Sequence, residues 1–130
     1  MKFLNLWQEA RGKVLRKRYE SLKPRIDTAD PEAKSACFAV IKMHFEFASR
    51  HYANASSAGR RTFLKTASKT VRELSDTGDW PRALGLDIIK LNLEARDLPG
   101  HDAAALKAAT DALIEQATAN PESRPLRRAG

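Results

Sequence analysis

Three side chains suited to metal or thiol chemistry recur at seven-residue spacing in one stretch of the sequence. They are Cys37, His44 and His51, and in a helix they share one face because seven residues make nearly two turns. Neighbouring members are then about 10.5 Å apart along the axis, too far to bind one metal ion together. The only other histidine is His101. We therefore expect no metal site from this set.

The sequence also lacks the motifs that usually accompany catalysis. It contains no glycine-rich phosphate loop, no paired-histidine zinc helix and no calcium loop, and no spacing ties Ser, His and acidic residues into a triad. We therefore expect no catalytic residues and no cofactor. Cys37 is interpreted as a small, inert core residue, and His44 as a core histidine held by a hydrogen bond.

Basic residues supply a second chemical signal. The formal net charge is +7, and the first 25 residues hold eight basic and two acidic side chains. Residues 60–78 hold five basic and two acidic side chains, whereas residues 79–119 are net acidic. This asymmetry favours an acidic partner, which could be a nucleic acid, a protein or a second copy of the chain. The candidate contact residues are Arg11, Lys13, Arg16, Lys17, Arg18, Arg61, Lys65, Lys69 and Arg72.

Helical spacing arranges these basic residues in two ways. Arg61, Lys65, Lys69 and Arg72 form a row about 16 Å long, which could follow a phosphate backbone or an acidic helix. Arg11 and Arg18 fall within the apolar half of the first predicted helix. Either their stems pack while their charged ends reach solvent, or they form a cationic notch for a carboxylate or phosphate.

The stretch from Asp30 to Ala55 is predicted to be the central helix of the fold. Asp30 can cap its start, and Pro31 suits the first turn because its missing N–H has no partner there anyway. Its apolar residues cover an arc of roughly 200°, whereas a surface helix needs only about 100°. We therefore expect Val40, Ile41 and His44 to be nearly inaccessible.

Four more helices are predicted around it, at about residues 4–23, 59–75, 80–96 and 103–119. A polar connector at residues 23–29 is expected because Pro24 disfavours helix in the residue before it. Gly78 and Asp79 are predicted to end the third helix and cap the fourth, and Gly85 to mark a close helix contact.

The fourth predicted helix carries two apolar stripes on nearly opposite faces. The second stripe consists of Leu86, Ile89 and Leu93. Two stripes indicate either burial between layers or a self-association surface. A helix-turn-helix reading of the third and fourth helices is disfavoured, because the second helix of the pair should then face DNA rather than the core.

The sequence thus predicts an all-α protein, a single compact bundle of about five helices around the central helix at residues 31–55. Residues 1–119 form one domain, and residues 120–130 form a flexible basic tail. The lone cysteine excludes an internal disulfide, and no apolar run approaches the ~20 residues of a membrane span, so a cytoplasmic location is expected.

Binding rather than catalysis is the expected function. We interpret the protein as a non-enzymatic protein–protein interaction or regulatory module, with a homodimer as one form of it. The alternative is a nucleic-acid-binding protein that uses the basic faces of the first and third helices.

Overall fold

The computed structural model describes residues 2–119, with side chains from residue 5 onward, as five helices. These are α1 (Lys2–Asp27), α2 (Pro31–Asn54), α3 (Ser57–Asp76), α4 (Trp80–Arg96) and α5 (His101–Ala119). Residues 2–119 contain no strand, and the predicted all-α bundle of five helices is confirmed. The flexible basic tail predicted for residues 120–130 lies outside the described residues.

The first helix extends beyond the boundary predicted from its proline. α1 continues through Pro24 to Asp27, so the connector expected at residues 23–29 is wrong for most of its length. Pro24 lacks an N–H, but its carbonyl accepts a hydrogen bond from the Thr28 N–H at 2.9 Å. Ile26 is only 1% exposed. Burial of this large apolar side chain favours the last turn enough to outweigh the proline.

Local capping chemistry sets the other helix starts. The Asp30 carboxylate accepts the Ala33 N–H at 2.8 Å, and the Ser56 hydroxyl accepts the Gly59 N–H at 3.1 Å. Asp79 caps α4, and Gly78 before it has a positive φ of 87°, a conformation that glycine adopts without a Cβ clash. The predicted roles of Asp30, Gly78 and Asp79 are confirmed.

The most deeply buried helix is α4, not α2. Both helices pack against each of the other four, but eleven of the 17 residues of α4 are buried, against six of the 24 in α2. The expectation that residues 31–55 form the central helix is therefore corrected. α2 buries Ile41 and Phe38 but leaves Met43 and Phe47 54% and 69% exposed. Its wide apolar arc is covered on one side only.

Gly85 allows the closest approach between α2 and α4, as the sequence predicts. A Cβ at this position would lie 2.6 Å from the Cys37 carbonyl oxygen and 3.0 Å from the Val40 Cβ. Only a residue without a side chain lets the two helix backbones lie this near. The core beside this contact contains Phe38, Ile41 and Ile88.

The buried amide of Asn92 on α4 is satisfied by α5. The Asn92 side chain is fully buried and donates to Thr110 Oγ1 at 2.9 Å and to Asp111 Oδ1 at 2.8 Å, both on α5. Thr110 donates back to the Leu106 carbonyl at 2.8 Å, a bond that threonine commonly makes within a helix. These hydrogen bonds satisfy the buried amide of Asn92, and they fix the position of α4 along α5.

The third helix lies at the edge of the bundle. Within residues 2–119, α3 packs mainly against α4, touches α2 at a few positions and makes no contact with α1 or α5. Ala67 is its only buried residue. Because α3 does not reach α1 and meets α2 at only a few positions, a groove opens on each of its sides.

None of the five described helices combines the length and the apolar character that a membrane span requires.

Candidate functional site

An apolar groove lies between α2 and α3, with the start of α4 as its floor. Its volume is about 440 Å³. Its lining residues, which define the apolar groove from here on, are Val40, His44, Phe47, Ala48, Phe63, Thr66, Ala67, Thr70, Leu74, Arg82 and Leu86. Along α3 the lining runs from Phe63 to Leu74, about 16 Å at the helical rise.

Ring contacts join α2 to α3 beside this groove. His51 lies between Phe47 and Phe63, with ring centroids 6.2 Å and 5.3 Å away, and the Phe63 ring meets Tyr52 edge-on at 6.1 Å. Offset and edge-to-face rings at such distances attract each other. The cluster therefore fixes the position of α3 against α2 while Phe47 stays 69% exposed.

His44 lies in this groove rather than in the core. It is exposed, and the expectation of a nearly inaccessible, hydrogen-bonded histidine is wrong. The helical wheel places His44 beside Ile41 and Ala48, but α3 does not approach α2 closely enough to cover that face. Val40 and Ile41, at 8% and 0% exposed, are buried as predicted.

The three residues predicted for self-association are split between the core and the apolar groove. Ile89 and Leu93 are 1% and 0% exposed, so they belong to the monomer's own core. Leu86 is partly buried and lines the apolar groove. A self-association stripe formed by all three is therefore ruled out, because α4 is central and both of its apolar faces are covered within the chain.

Three of the predicted basic residues are held by carboxylates of the same chain. Arg11 donates to Glu94 at 2.8 Å, Arg16 to Asp102 at 2.9 Å, and Arg18 to Asp87 at 2.7 Å. These ion pairs attach α1 to carboxylates on α4 and α5. Much of the charge asymmetry in the sequence is thus neutralised inside the molecule.

The remaining predicted basic residues are exposed. Their side chains make no hydrogen bond or ion pair within the described part of the chain. These residues are Lys13, Lys17, Arg61, Lys65, Lys69 and Arg72. The cationic notch considered for Arg11 and Arg18 has a counterpart in the fold, because both line a second groove.

This second groove, the basic groove, lies between α1 and α3 over the middle of α4. Its volume is about 500 Å³. Its lining residues are Arg11, Val14, Leu15, Arg18, Ser68, Val71, Arg72, Ser75, Asp87 and Lys90. Four cations therefore surround a groove whose lining contains one carboxylate, Asp87.

Cys37 is a buried thiol without a reactive environment. It is 2% exposed, and burial raises the pKa of its thiol to about 12. Burial also raises the pKa of Tyr52, whose hydroxyl donates to Asp97 at 2.7 Å. Residues 2–119 contain no group of three or more His, Cys, Asp or Glu side chains placed to hold a metal ion.

Sequence reasoning missed both grooves and the role of Asp87 and Lys90 in one of them. The i, i+3 spacing of Asp87 and Lys90 places both on one side of α4, and that spacing was a usable signal. Their location under α1 and α3 depends on tertiary packing, which the spacing does not specify.

Comparison with models of protein families, with curated proteins and with solved structures found no match. The class of the protein is that of its fold, an all-α bundle of five helices. Its function is inferred below from the two grooves.

Proposed function

We propose that the protein is a non-enzymatic protein–protein interaction module that binds an amphipathic helix of a partner protein in the apolar groove. The observation that carries this proposal is Phe47, which is 69% exposed at the edge of a groove lined mainly by apolar side chains. Met43, one turn before Phe47 on α2, is 54% exposed. Contiguous exposed apolar surface of this kind marks binding sites in monomeric proteins.

The groove has the dimensions of a helix-binding surface. The lining of α3 spans about 16 Å, which equals three turns of a partner helix. Such a helix would place apolar side chains at positions i, i+4 and i+7 between Phe47 and Leu74. Covering an exposed phenylalanine fully contributes about 1.5–3 kcal/mol before the costs of association.

Charge favours an acidic partner over a second copy of the chain. The titratable residues of the lining are His44 and Arg82, and no carboxylate lines the groove. Arg82 pairs with Asp79 but keeps 61% of its side chain exposed. Two copies with a formal net charge of +7 each would repel, whereas an acidic helix would be attracted.

The test is selection of binders from a display library of amphipathic helical peptides of about four turns, with the full chain as target. We expect enriched peptides to be acidic, with apolar residues at i, i+4 and i+7. Phe47→Asp should weaken their binding by at least about tenfold, the equivalent of ~1.4 kcal/mol. Trp7→Asp is the matched control, because Trp7 is an aromatic residue 75% exposed on α1, outside the apolar groove.

Three results would contradict the proposal. Library selection that enriches no sequence is the first, and peptides that bind the parent and Phe47→Asp equally are the second. The third is a dimer in light scattering that Phe47→Asp dissociates, since the occupant would then be a second copy.

A cytoplasmic location is part of this proposal. The single cysteine is free and buried, as is common in reducing compartments. Thiol trapping after denaturation measures the oxidation state of Cys37 in cells, and a cytoplasmic location predicts a reduced thiol.

Nucleic-acid binding is a second candidate function. It is favoured by the row Arg61, Lys65, Lys69 and Arg72, whose four side chains are exposed and unpaired within the described residues. Log affinity for duplex DNA should then fall with log salt concentration by about 0.9 per phosphate contact. Changing Lys65 and Lys69 to Ala should flatten this slope by about two units. No binding to duplex or single-stranded probes at low salt would eliminate this candidate.

A further inference from the structure

One buried polar atom at the basic groove has no hydrogen bond within the protein, and a buried ammonium on the same helix is held only by an ion pair. The Lys90 side chain is only 9% exposed, and its ammonium lies 3.7 Å from the nearest carboxylate oxygen, on Glu94, which is longer than a hydrogen bond. The second oxygen of Asp87, Oδ1, is buried and accepts no hydrogen bond. Leaving such groups unsatisfied costs free energy, and native proteins do so rarely.

The arginines that line the basic groove retain unused hydrogen-bond donors. Arg72 has no partner within the described part of the chain. Arg18 uses Nε and Nη2 on Asp87 Oδ2, and Arg11 uses Nε on Glu94, while about half of each side chain stays exposed. A guanidinium has five N–H donors, so each arginine retains donors for a ligand.

The other residues that line the basic groove indicate which further chemical groups the ligand carries. Val14, Leu15 and Val71 offer apolar surface, and Ser68 and Ser75 carry hydroxyls. A volume of about 500 Å³ lies in the range of small-molecule pockets.

We propose that the basic groove is a binding site for a small phosphate monoester that also carries a hydroxyl or amino donor, such as a sugar phosphate or a mononucleotide. The phosphate accepts hydrogen bonds from Lys90, Arg72 and Arg18, and the ligand's donor is bound by the hydroxyl of Ser68 or Ser75. Four cations and the carboxylates Asp87 and Glu94 leave an excess of two positive charges at the groove. A phosphate monoester is favoured over a carboxylate because it brings nearly two negative charges and three acceptor oxygens.

This site is independent of the proposed function. It lies on the α1 side of α3, whereas the apolar groove lies on the α2 side, and the two linings share no residue. The two proposals can therefore fail separately.

The experiment is isothermal titration of the full chain, at one fixed ionic strength, with ribose 5-phosphate, adenosine monophosphate, ribose and inorganic phosphate. We expect saturable binding of at least one monoester, weaker binding of inorganic phosphate and none of ribose. Arg72→Gln should weaken the monoester by at least about tenfold, because it removes a charged hydrogen-bond donor.

Arg50→Gln is the matched control, since Arg50 is an exposed arginine on α2, unpaired within the described residues, and does not line the groove. Affinity in this variant should match the parent. Lys90→Met should abolish monoester binding, and far-ultraviolet circular dichroism establishes whether that variant folds. Arg72 is exposed and unpaired within the described residues, so Arg72→Gln remains informative even if the Lys90 variant unfolds.

Several outcomes would overturn the inference. One is the absence of binding by both monoesters at about 1 mM, a weak limit on the affinity scale. Another is equal weakening by Arg72→Gln and Arg50→Gln, which indicates diffuse attraction without a site. A third is inorganic phosphate binding as tightly as the monoesters, because the ligand's donor group then contributes nothing.

Discussion

Replacing Gly85 with alanine tests the contact on which the position of α4 depends. The added Cβ would lie 2.6 Å from the Cys37 carbonyl oxygen, whereas ordinary van der Waals contact begins at 3.4 Å. The oxygen is a backbone atom of α2 and cannot rotate away. The two helices must therefore separate by about 0.8 Å, the difference between these distances.

Two opposing terms determine the size of the effect. Overpacking of this kind costs about 1–3 kcal/mol, because Ile41, Phe38 and Ile88 lose close contacts along the same seam. Alanine has a higher helix propensity than glycine, which offsets up to about 1 kcal/mol. Because the clash is with a backbone atom, the overpacking cost lies in the upper part of its range, at about 2–3 kcal/mol. We therefore expect Gly85→Ala to lower the free energy of unfolding by about 1–2 kcal/mol.

Urea denaturation followed by far-ultraviolet circular dichroism measures this change, with the m-value expected to stay constant. Gly12→Ala is the control. It gains the same helix propensity, but its Cβ would meet the Ala103 side chain at 3.2 Å, a milder contact. Its stability should stay within about 1 kcal/mol of the parent. A Gly85→Ala variant as stable as the parent would refute the close approach of α2 and α4.

Two further predictions concern buried side chains. Ile89→Asp should unfold the protein, because it places an unpaired charge in the core, and loss of the helical circular dichroism signal checks this. A folded Ile89→Asp variant would indicate that Ile89 lies at the surface and would contradict its burial. Stability should fall as pH rises from about 9 towards 12, since the unfolded Cys37 thiol loses its proton there while the folded thiol keeps it. Cys37→Ala should reduce this fall by up to ~1.4 kcal/mol per pH unit in urea denaturation, and an unchanged pH slope would contradict the burial of the thiol.

Local signals in the sequence predicted most of the helix boundaries. Asp30, Gly78 and Asp79 act within a few residues of their own positions, so their roles follow from backbone chemistry alone. Pro24 misled the prediction because the burial of Ile26, a tertiary effect, keeps the last turn of α1 helical.

Which helix lies at the centre of the bundle could not be predicted from the sequence. The polar residues of α4 make its sequence resemble that of a surface helix. Burial of Asp87 and Asn92 depends on pairing with Arg18 on α1 and Thr110 on α5. α2 looks more apolar in sequence, yet Phe47 and Met43 are exposed. Apolar content predicted that both helices are buried in part, but not which one the others surround.

The two grooves could not be predicted from the sequence either. Each exists because α3 packs on α4 without closing onto α1 or α2 along its length. The basic residues were identified from sequence, but their division into paired and unpaired groups depends on which carboxylates of α4 and α5 they meet.

The most direct test of the proposed function is a methyl-resonance map of the full chain bound to a selected acidic helical peptide. The proposal predicts chemical-shift changes at the methyl groups of Val40, Leu74 and Leu86, which line the apolar groove. The methyl groups of Val14, Leu15 and Val71, in the basic groove, should stay unchanged. Shifts confined to the second set would place the peptide between α1 and α3 and contradict helix binding in the apolar groove.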